Sequence, residues 1–172
     1  MLEVMREEAA NNGAIVDVVR ANDLTIKPCL GCMACRKTGK CVLSEDDSVR
    51  LLEKIKSADA VIIGAPCYWG NIPGQLKLAF DRMVYGMMRE TDRFPEPLMP
   101  DKKCILLSTC TTPWPFNILM NQSRGAIKAL REICRYSGFK IVSTVERGST
   151  QKHRELTDCD YSKCLKAVKK LF

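Results

Sequence analysis

Four cysteines in a C-x2-C-x2-C-x5-C pattern give this chain its clearest chemical signal: Cys29, Cys32, Cys35 and Cys41. Successive C-x-x-C turns direct their thiolates to one side of a loop, which is how iron–sulfur proteins hold a four-iron cluster. Tetrahedral zinc more often uses two separated C-x-x-C pairs or histidine, and the chain has a single His. The spacing therefore favours an iron–sulfur cluster, while zinc, a disulfide framework and a loop without metal remain alternatives.

The composition is typical of a globular protein with 172 residues, 46% of them hydrophobic and ten of them cysteine. No signal peptide or membrane-spanning run is recognisable, so we expect a reducing cytoplasm, free thiols and no membrane partner. The formal charge of +7 is spread over many segments. Such charge is typical of a solvated surface that attracts anionic nucleotides or acidic electron carriers, and it gives little support to nucleic-acid binding.

Hydrophobic periodicity predicts alternating helices and strands along the chain. Helices are expected near 2–12, 44–57, 76–87, 116–136 and 161–171, and strands near 14–19, 60–65, 104–108 and 140–145. Ser44 and Asp47 resemble a capping box at the start of the second helix. The alternation predicts an α/β fold with an open parallel sheet and helices on both faces. We expect one domain over 1–172, with a cysteine-rich loop at about 21–43.

Aromatic residues follow two consecutive predicted strands, where open parallel sheets bind ligands. The first loop places Tyr68 and Trp69 between Pro66 and Gly70, and the second, 109–115, combines threonines with Trp114. A flat apolar wall with nearby backbone N–H groups suits an isoalloxazine ring. The alternative interpretation is that both loops are ordinary connections whose aromatic side chains plug the core.

Taken together, the Pro28–Cys35 segment with Cys41, the Pro66–Asn71 loop and the Asp81-Arg82 pair resemble the iron–sulfur flavoprotein family, within the wider group of NAD(P)H-dependent FMN reductases. The resemblance implies a flavodoxin-like fold, bound FMN, a 4Fe-4S cluster on the cysteine loop, and homodimers or homotetramers that bring cluster and flavin together. It assigns the four cysteines of the motif as cluster ligands. It assigns two sets of flavin contacts: Pro66, Cys67, Tyr68, Trp69, Gly70 and Asn71 on one side, and Thr109, Cys110, Thr111 and Thr112 on the other.

The chain departs from that family at its start. Members begin with a strand and a Ser- and Thr-rich turn that holds the FMN phosphate at a helix N-terminus, whereas this chain starts inside that helix, at Leu2. The first strand is therefore expected to be missing, which would expose the flanks of the strands predicted at 14–19 and 60–65. A truncated or misannotated start is the simpler explanation, and a paralogue that has lost flavin is the other.

The implied activity is electron transfer between NAD(P)H or a reduced carrier, FMN and the cluster. We predict no catalytic acid or base: His153 should be exposed, Cys67 should be inert packing, and Asp81 and Arg82 should form a helix-surface pair or an interface contact. Partners would be small molecules or ferredoxin-type donors and acceptors. Two alternatives stay open: a cluster-free quinone, nitro or azo reductase, and a non-catalytic metal-binding or redox-sensing module.

Overall fold

A computed structural model describes all of residues 1–172. The elements follow in chain order: α1 (Leu2–Asn11), α2 (Ala34–Thr38), α3 (Asp47–Ser57), β1 (Ala60–Pro66), α4 (Gly74–Met87), β2 (Met88–Arg89), β3 (Glu96–Pro97), β4 (Lys103–Thr109), α5 (Phe116–Leu119), α6 (Ser123–Ser137), β5 (Lys140–Arg147) and α7 (Asp158–Val168). None of the helices has the length and apolar character needed to cross a membrane.

The central sheet is parallel, with strand order β1-β4-β5. Its middle strand, β4, is apolar from Cys104 to Leu107, as expected for a strand covered on both faces. Cys104 and Leu106 face a core built with α3, α4 and α6, while Ile105 and Leu107 face a second core built with α1 and α7. Helices therefore lie on both faces of the sheet, as the alternating sequence predicts.

The prediction of a strand at 14–19 is wrong, because this segment forms no regular element. The predicted exposure of the segment is confirmed. No backbone group from Ile15 to Val19 takes part in a hydrogen bond, and the Ile15 side chain is fully exposed. An ion pair of 2.6 Å between Asp17 and Lys54 holds the segment against α3. A strand requires a neighbour to pair with, and β1 bonds only to β4, so its other edge is open.

Several boundaries also differ from prediction. The helix expected over 116–136 is two helices, α5 and α6, and the predicted connection before β4 contains the small β2-β3 hairpin. Asp46, not Ser44, caps α3, since its side chain accepts a hydrogen bond from the Ser48 amide. Helix α7 starts earlier than predicted because Thr157 and Asp160 form a capping box.

Candidate functional site

A tight turn follows β1 and presents two aromatic side chains to solvent. Tyr68 and Asn71 exchange backbone hydrogen bonds of 2.9 and 3.0 Å, and the two central residues, Trp69 and Gly70, both have positive φ, 53° and 69°. This is a type I′ turn, which normally takes Asn-Gly. Tryptophan in left-handed backbone is strained, and here its indole is fully exposed, with Tyr68 60% exposed beside it.

The loops after the three parallel strands are tied to one another. The Cys67 amide donates to the Thr109 carbonyl at 2.7 Å, and the Cys110 amide donates to the Arg147 carbonyl at 2.9 Å. Helix α6 then supports the aromatic turn from below. A Cβ on Gly125 would lie 2.0 Å from the Gly70 carbonyl oxygen, so only glycine allows this approach. The sheet thus fixes the position of both predicted flavin-contact loops.

The second loop offers unused hydrogen-bond donors beside an apolar surface. The amides of Thr111 and Thr112 donate to no atom of the chain, while Trp114 and Phe116 are 74% and 52% exposed. Like the turn after β1, this loop therefore exposes apolar side chains at the carboxyl end of its strand. Exposed apolar side chains beside unused donors are typical of a ligand or protein interface.

The predicted flavin-contact residues differ in accessibility. Pro66, Asn71 and Thr111 are exposed, as are Tyr68 and Trp69, whereas Cys110 is buried and its backbone N–H and C=O are hydrogen-bonded within the chain. Four further predicted contacts are partly buried: Cys67, Gly70, Thr109 and Thr112.

Cys67 is not an activated nucleophile. Desolvation raises the pKa of its thiol, the neighbouring Cys110 thiol acts in the same direction, and hydrogen bonds from the Gly70 and Asn71 amides only partly oppose them. The thiol therefore stays protonated at neutral pH. This agrees with the prediction that Cys67 is inert packing.

The four cysteines of the motif gather in one loop without forming a closed ligand set. Cys29 and Cys32 are exposed. Cys35, inside α2, and Cys41, three residues after the end of that helix, are half-buried. Desolvation raises the pKa of the Cys35 thiol, and the charges of Cys41, Cys29 and Cys32 raise it further. No three metal-ligating side chains lie close enough together to hold an ion.

Both ends of the cysteine loop are fastened to the body of the protein. The Thr25 amide donates to an Asp47 carboxylate oxygen at 2.7 Å, and the Lys27 amide donates to Asp46 at 3.1 Å. Arg82 of α4 joins the two ends, since its Nη1 donates to the Lys27 carbonyl at 2.6 Å and to Asp46 at 2.7 Å. The sulfur-bearing segment is therefore a closed loop on a fixed base.

Arg82 holds the base of the cysteine loop, a position that the sequence did not predict. The predicted surface pair of Asp81 with Arg82 is wrong: Asp81 pairs with Lys77 on the surface of α4, and the Arg82 side chain is only 1% exposed and pairs with Asp46. The available signal was a cation between the apolar Phe80 and Met83 on the buried face of a helix. Two of its nitrogens, Nε and Nη2, have no partner, so the guanidinium is only partly compensated.

Within one chain the cysteine loop and the aromatic turn lie at opposite ends of α4. The aromatic turn leads into the start of that helix at Gly74, whereas the cysteine loop lies beside its end. There Arg36 pairs with Glu90 at 2.7 Å. The pKa of Tyr85 is raised, mainly by burial and secondly by the charge of Cys41. Gly74 and Tyr85 are about 16 Å apart along the helix at 1.5 Å per residue. Arg36 and Cys41 of the cysteine loop therefore lie beside the opposite end of α4 from the aromatic turn.

A second arginine, which is only partly exposed, fastens the loop after β5. Arg147 pairs with Asp160 at 3.1 Å and donates to the carbonyls of His153 and Glu155 at 2.8 and 2.5 Å. Burial would raise the pKa of Asp160, but hydrogen bonds from Thr157 and the charge of Arg147 hold it below its usual value. The His153 side chain is exposed, as predicted for a residue without a catalytic role.

Comparison with proteins of known sequence places this architecture among flavoproteins. The chain is 43% identical over 82 residues to an iron-sulfur flavoprotein of Archaeoglobus fulgidus, covering 48% of this chain and 40% of that protein. It is 42% identical over 78 residues to an iron-sulfur flavoprotein of Methanosarcina thermophila, covering 45% and 40%. The matching region thus spans about two fifths of the length of these relatives.

The fold matches that of solved structures over nearly the whole chain. An FMN-dependent NADH-azoreductase from Bacillus anthracis, solved in complex with FMN, superposes with a TM-score of 0.73 and covers 99% of this chain and 88% of its own, at 15% identity. At that identity the likeness concerns the fold, which is flavodoxin-like. The family model of NADPH-dependent FMN reductases matches residues 1–146, so the chain belongs to the NADPH-dependent FMN reductase family.

Proposed function

We propose that this protein binds FMN over the carboxyl ends of β1 and β4 and transfers electrons between NAD(P)H or a reduced carrier, the flavin and a 4Fe-4S cluster on the cysteine loop. The observation that carries the proposal is the exposed strained turn of Trp69. A tryptophan held outward in unfavourable backbone, next to unpaired amides of the following strand end, is what a planar ligand with a polar edge requires.

The residues at the strand ends fit FMN chemically. Trp69 and Tyr68 would stack on the isoalloxazine ring, and the amides of Thr111 and Thr112 would donate to its polar edge. FMN, when bound, accepts a hydride from a nicotinamide and returns the two electrons singly. The protein itself needs to orient the ring and exclude water, and no side chain of the site has to move a proton.

The cysteine loop fits a cluster by its donor chemistry. It supplies four thiols in one fastened loop, and Arg36, Lys37 and Lys40 would offset the negative charge of thiolate ligation. Loading would require Cys29, Cys32 and Cys41 to close around the position of Cys35. Because the two sites of one chain lie apart, direct transfer between cluster and flavin would need a second copy of the chain, which supports a homo-oligomer.

The test is anaerobic reconstitution with iron, sulfide and FMN, followed by iron analysis, visible absorbance and flavin fluorescence titration. Replacing Cys32 by Ser should abolish iron incorporation and leave FMN binding unchanged. The matched control is Cys159→Ser, because Cys159 is exposed but lies outside the loop. Full iron content in the Cys32 variant would contradict the ligand assignment.

The same experiment separates the second candidate function. Exposure of Cys29 and Cys32, and the open arrangement of the four sulfurs, favour a cluster-free quinone, nitro or azo reductase as the alternative. In that case the protein would show resolved flavin bands without iron. Protein that binds neither FMN nor iron would contradict both functions.

A further inference from the structure

A basic groove of about 730 Å³, lined by neither the aromatic residues nor the cysteines of the two candidate sites, crosses the outer edge of β5. Helix α6 lies along one side of it and α7 along the other. The groove is lined by six cationic side chains: Arg124, Lys128, Arg131, Lys163, Lys166 and Lys170. The sequence spreads its basic residues over many segments, and folding brings these six together.

The charge of this basic groove is largely uncompensated. Arg124 pairs with Glu146 at 3.0 Å, and that glutamate is the only carboxylate in the lining. Lys128 and Arg131 donate to neutral oxygens, those of Asn121 and Thr144. Since six cations face one carboxylate, the groove attracts anionic groups.

The floor of the basic groove is an unpaired strand edge. Strand β5 pairs only with β4, and the Arg147 carbonyl accepts from Cys110 of that side. Because backbone groups alternate along a strand, the N–H and C=O groups of Thr144 and Glu146 point away from β4, toward the groove. An open edge of this kind is a template for an additional strand.

We propose that the basic groove binds an extended acidic segment of a partner protein, which adds a strand to β5. Successive side chains of a strand project to opposite faces, so acidic residues would meet the α6 cations on one face and the α7 lysines on the other. A nucleic-acid backbone supplies acceptors but no donors for the β5 carbonyls. The combination of charge and strand edge therefore selects an acidic peptide.

The proposal is tested by fluorescence anisotropy with a labelled ten-residue peptide of Glu and Thr. Binding should weaken at least tenfold between 50 and 500 mM NaCl, because exposed charges are screened. The same peptide with alternate N-methylated residues keeps its charge but cannot pair as a strand, and it should bind about fivefold more weakly. Equal binding of both peptides, or tighter binding of single-stranded oligo-dT, would overturn the proposal.

Variants of the protein localise the binding. Lys166→Glu should weaken peptide binding about three- to tenfold, since one attraction becomes a repulsion. Lys169→Glu is the matched control, because Lys169 is exposed at the end of the same helix but outside the groove lining. Thr144→Pro removes one outward N–H at an edge position where proline is tolerated, and should weaken binding with the circular dichroism spectrum unchanged. Identical affinities for the two lysine variants would refute the location.

Discussion

Removing the buried guanidinium of Arg82 should destabilise the base of the cysteine loop. Its side chain is 1% exposed and that of Asp46 8%, so neither charge has water to replace its partner. Arg82→Met keeps the approximate length of the side chain but removes the hydrogen bonds that the guanidinium donates to the Asp46 carboxylate and the Lys27 carbonyl. Breaking a buried pair from one side costs about 3–5 kcal/mol.

The lower end of that range is expected here, for two reasons. Asp46 keeps hydrogen bonds from the Ser48 and Lys27 amides, and Arg82 already has two buried nitrogens without partners. We therefore predict a loss of about 3 kcal/mol in the free energy of unfolding. The pKa of Asp46 should rise in the variant, because burial opposes its charge and one of the hydrogen bonds that lower the pKa is lost.

Urea denaturation followed by circular dichroism at pH 7 measures this loss. Arg89→Met is the matched control, since Arg89 pairs with Glu96 at 3.2 Å while both side chains are more than half exposed. Such a pair contributes about 0–1 kcal/mol. A double variant with Asp46→Asn, which keeps a good helix cap, should lose less than the sum of the single variants. Equal effects of Arg82→Met and Arg89→Met, or strict additivity, would refute the buried-clamp reasoning.

Three further predictions concern the strand-end loops and acid stability. Trp69→Asn should raise the free energy of unfolding by about 1 kcal/mol, because asparagine suits left-handed backbone, and should weaken FMN binding; unchanged flavin fluorescence titration would contradict the ring contact. Gly125→Ala should lower the free energy of unfolding by about 1–3 kcal/mol through its clash with Gly70, as measured by thermal melts. In the same melts the control Gly74→Ala, whose added Cβ meets no atom within 4 Å, should stabilise α4 slightly. Asp46 and Asp160 have native pKa values below the ordinary 3.8, so in acid the unfolded chain binds more protons than the folded one. The free energy of unfolding that these two groups contribute should be fully present above about pH 5 and should fall as the pH drops through the native pKa values. In urea titrations from pH 7 to 3, Asp46→Asn should flatten that fall, and an unchanged slope would argue against the assignment.

Elements with strong periodicity could be read from the sequence. The run from Cys104 to Ser108 is apolar at every position but its last, which predicts a strand buried on both faces. The apolar residues of α6 repeat at helical spacing, and Gly138 directly after them predicts the end of that helix. The 14–19 segment is richer in Val than that run from Cys104 to Ser108, yet it forms no strand. β-propensity describes a side chain that fits a sheet, and pairing depends on a neighbour that only the tertiary structure provides or withholds.

The site was predictable in its parts and not in its arrangement. Residue types identified the cysteine motif and the Tyr68-Trp69 turn, because thiol ligation and aromatic stacking are local chemical properties. The burial of Arg82, the distance between the cysteine loop and the aromatic turn, and the gathering of six cations beside β5 depend on which helices pack together. The sequence alone determined which chemical groups are present. Only the tertiary structure decided which of them meet, because side chains far apart along the chain are brought together by packing.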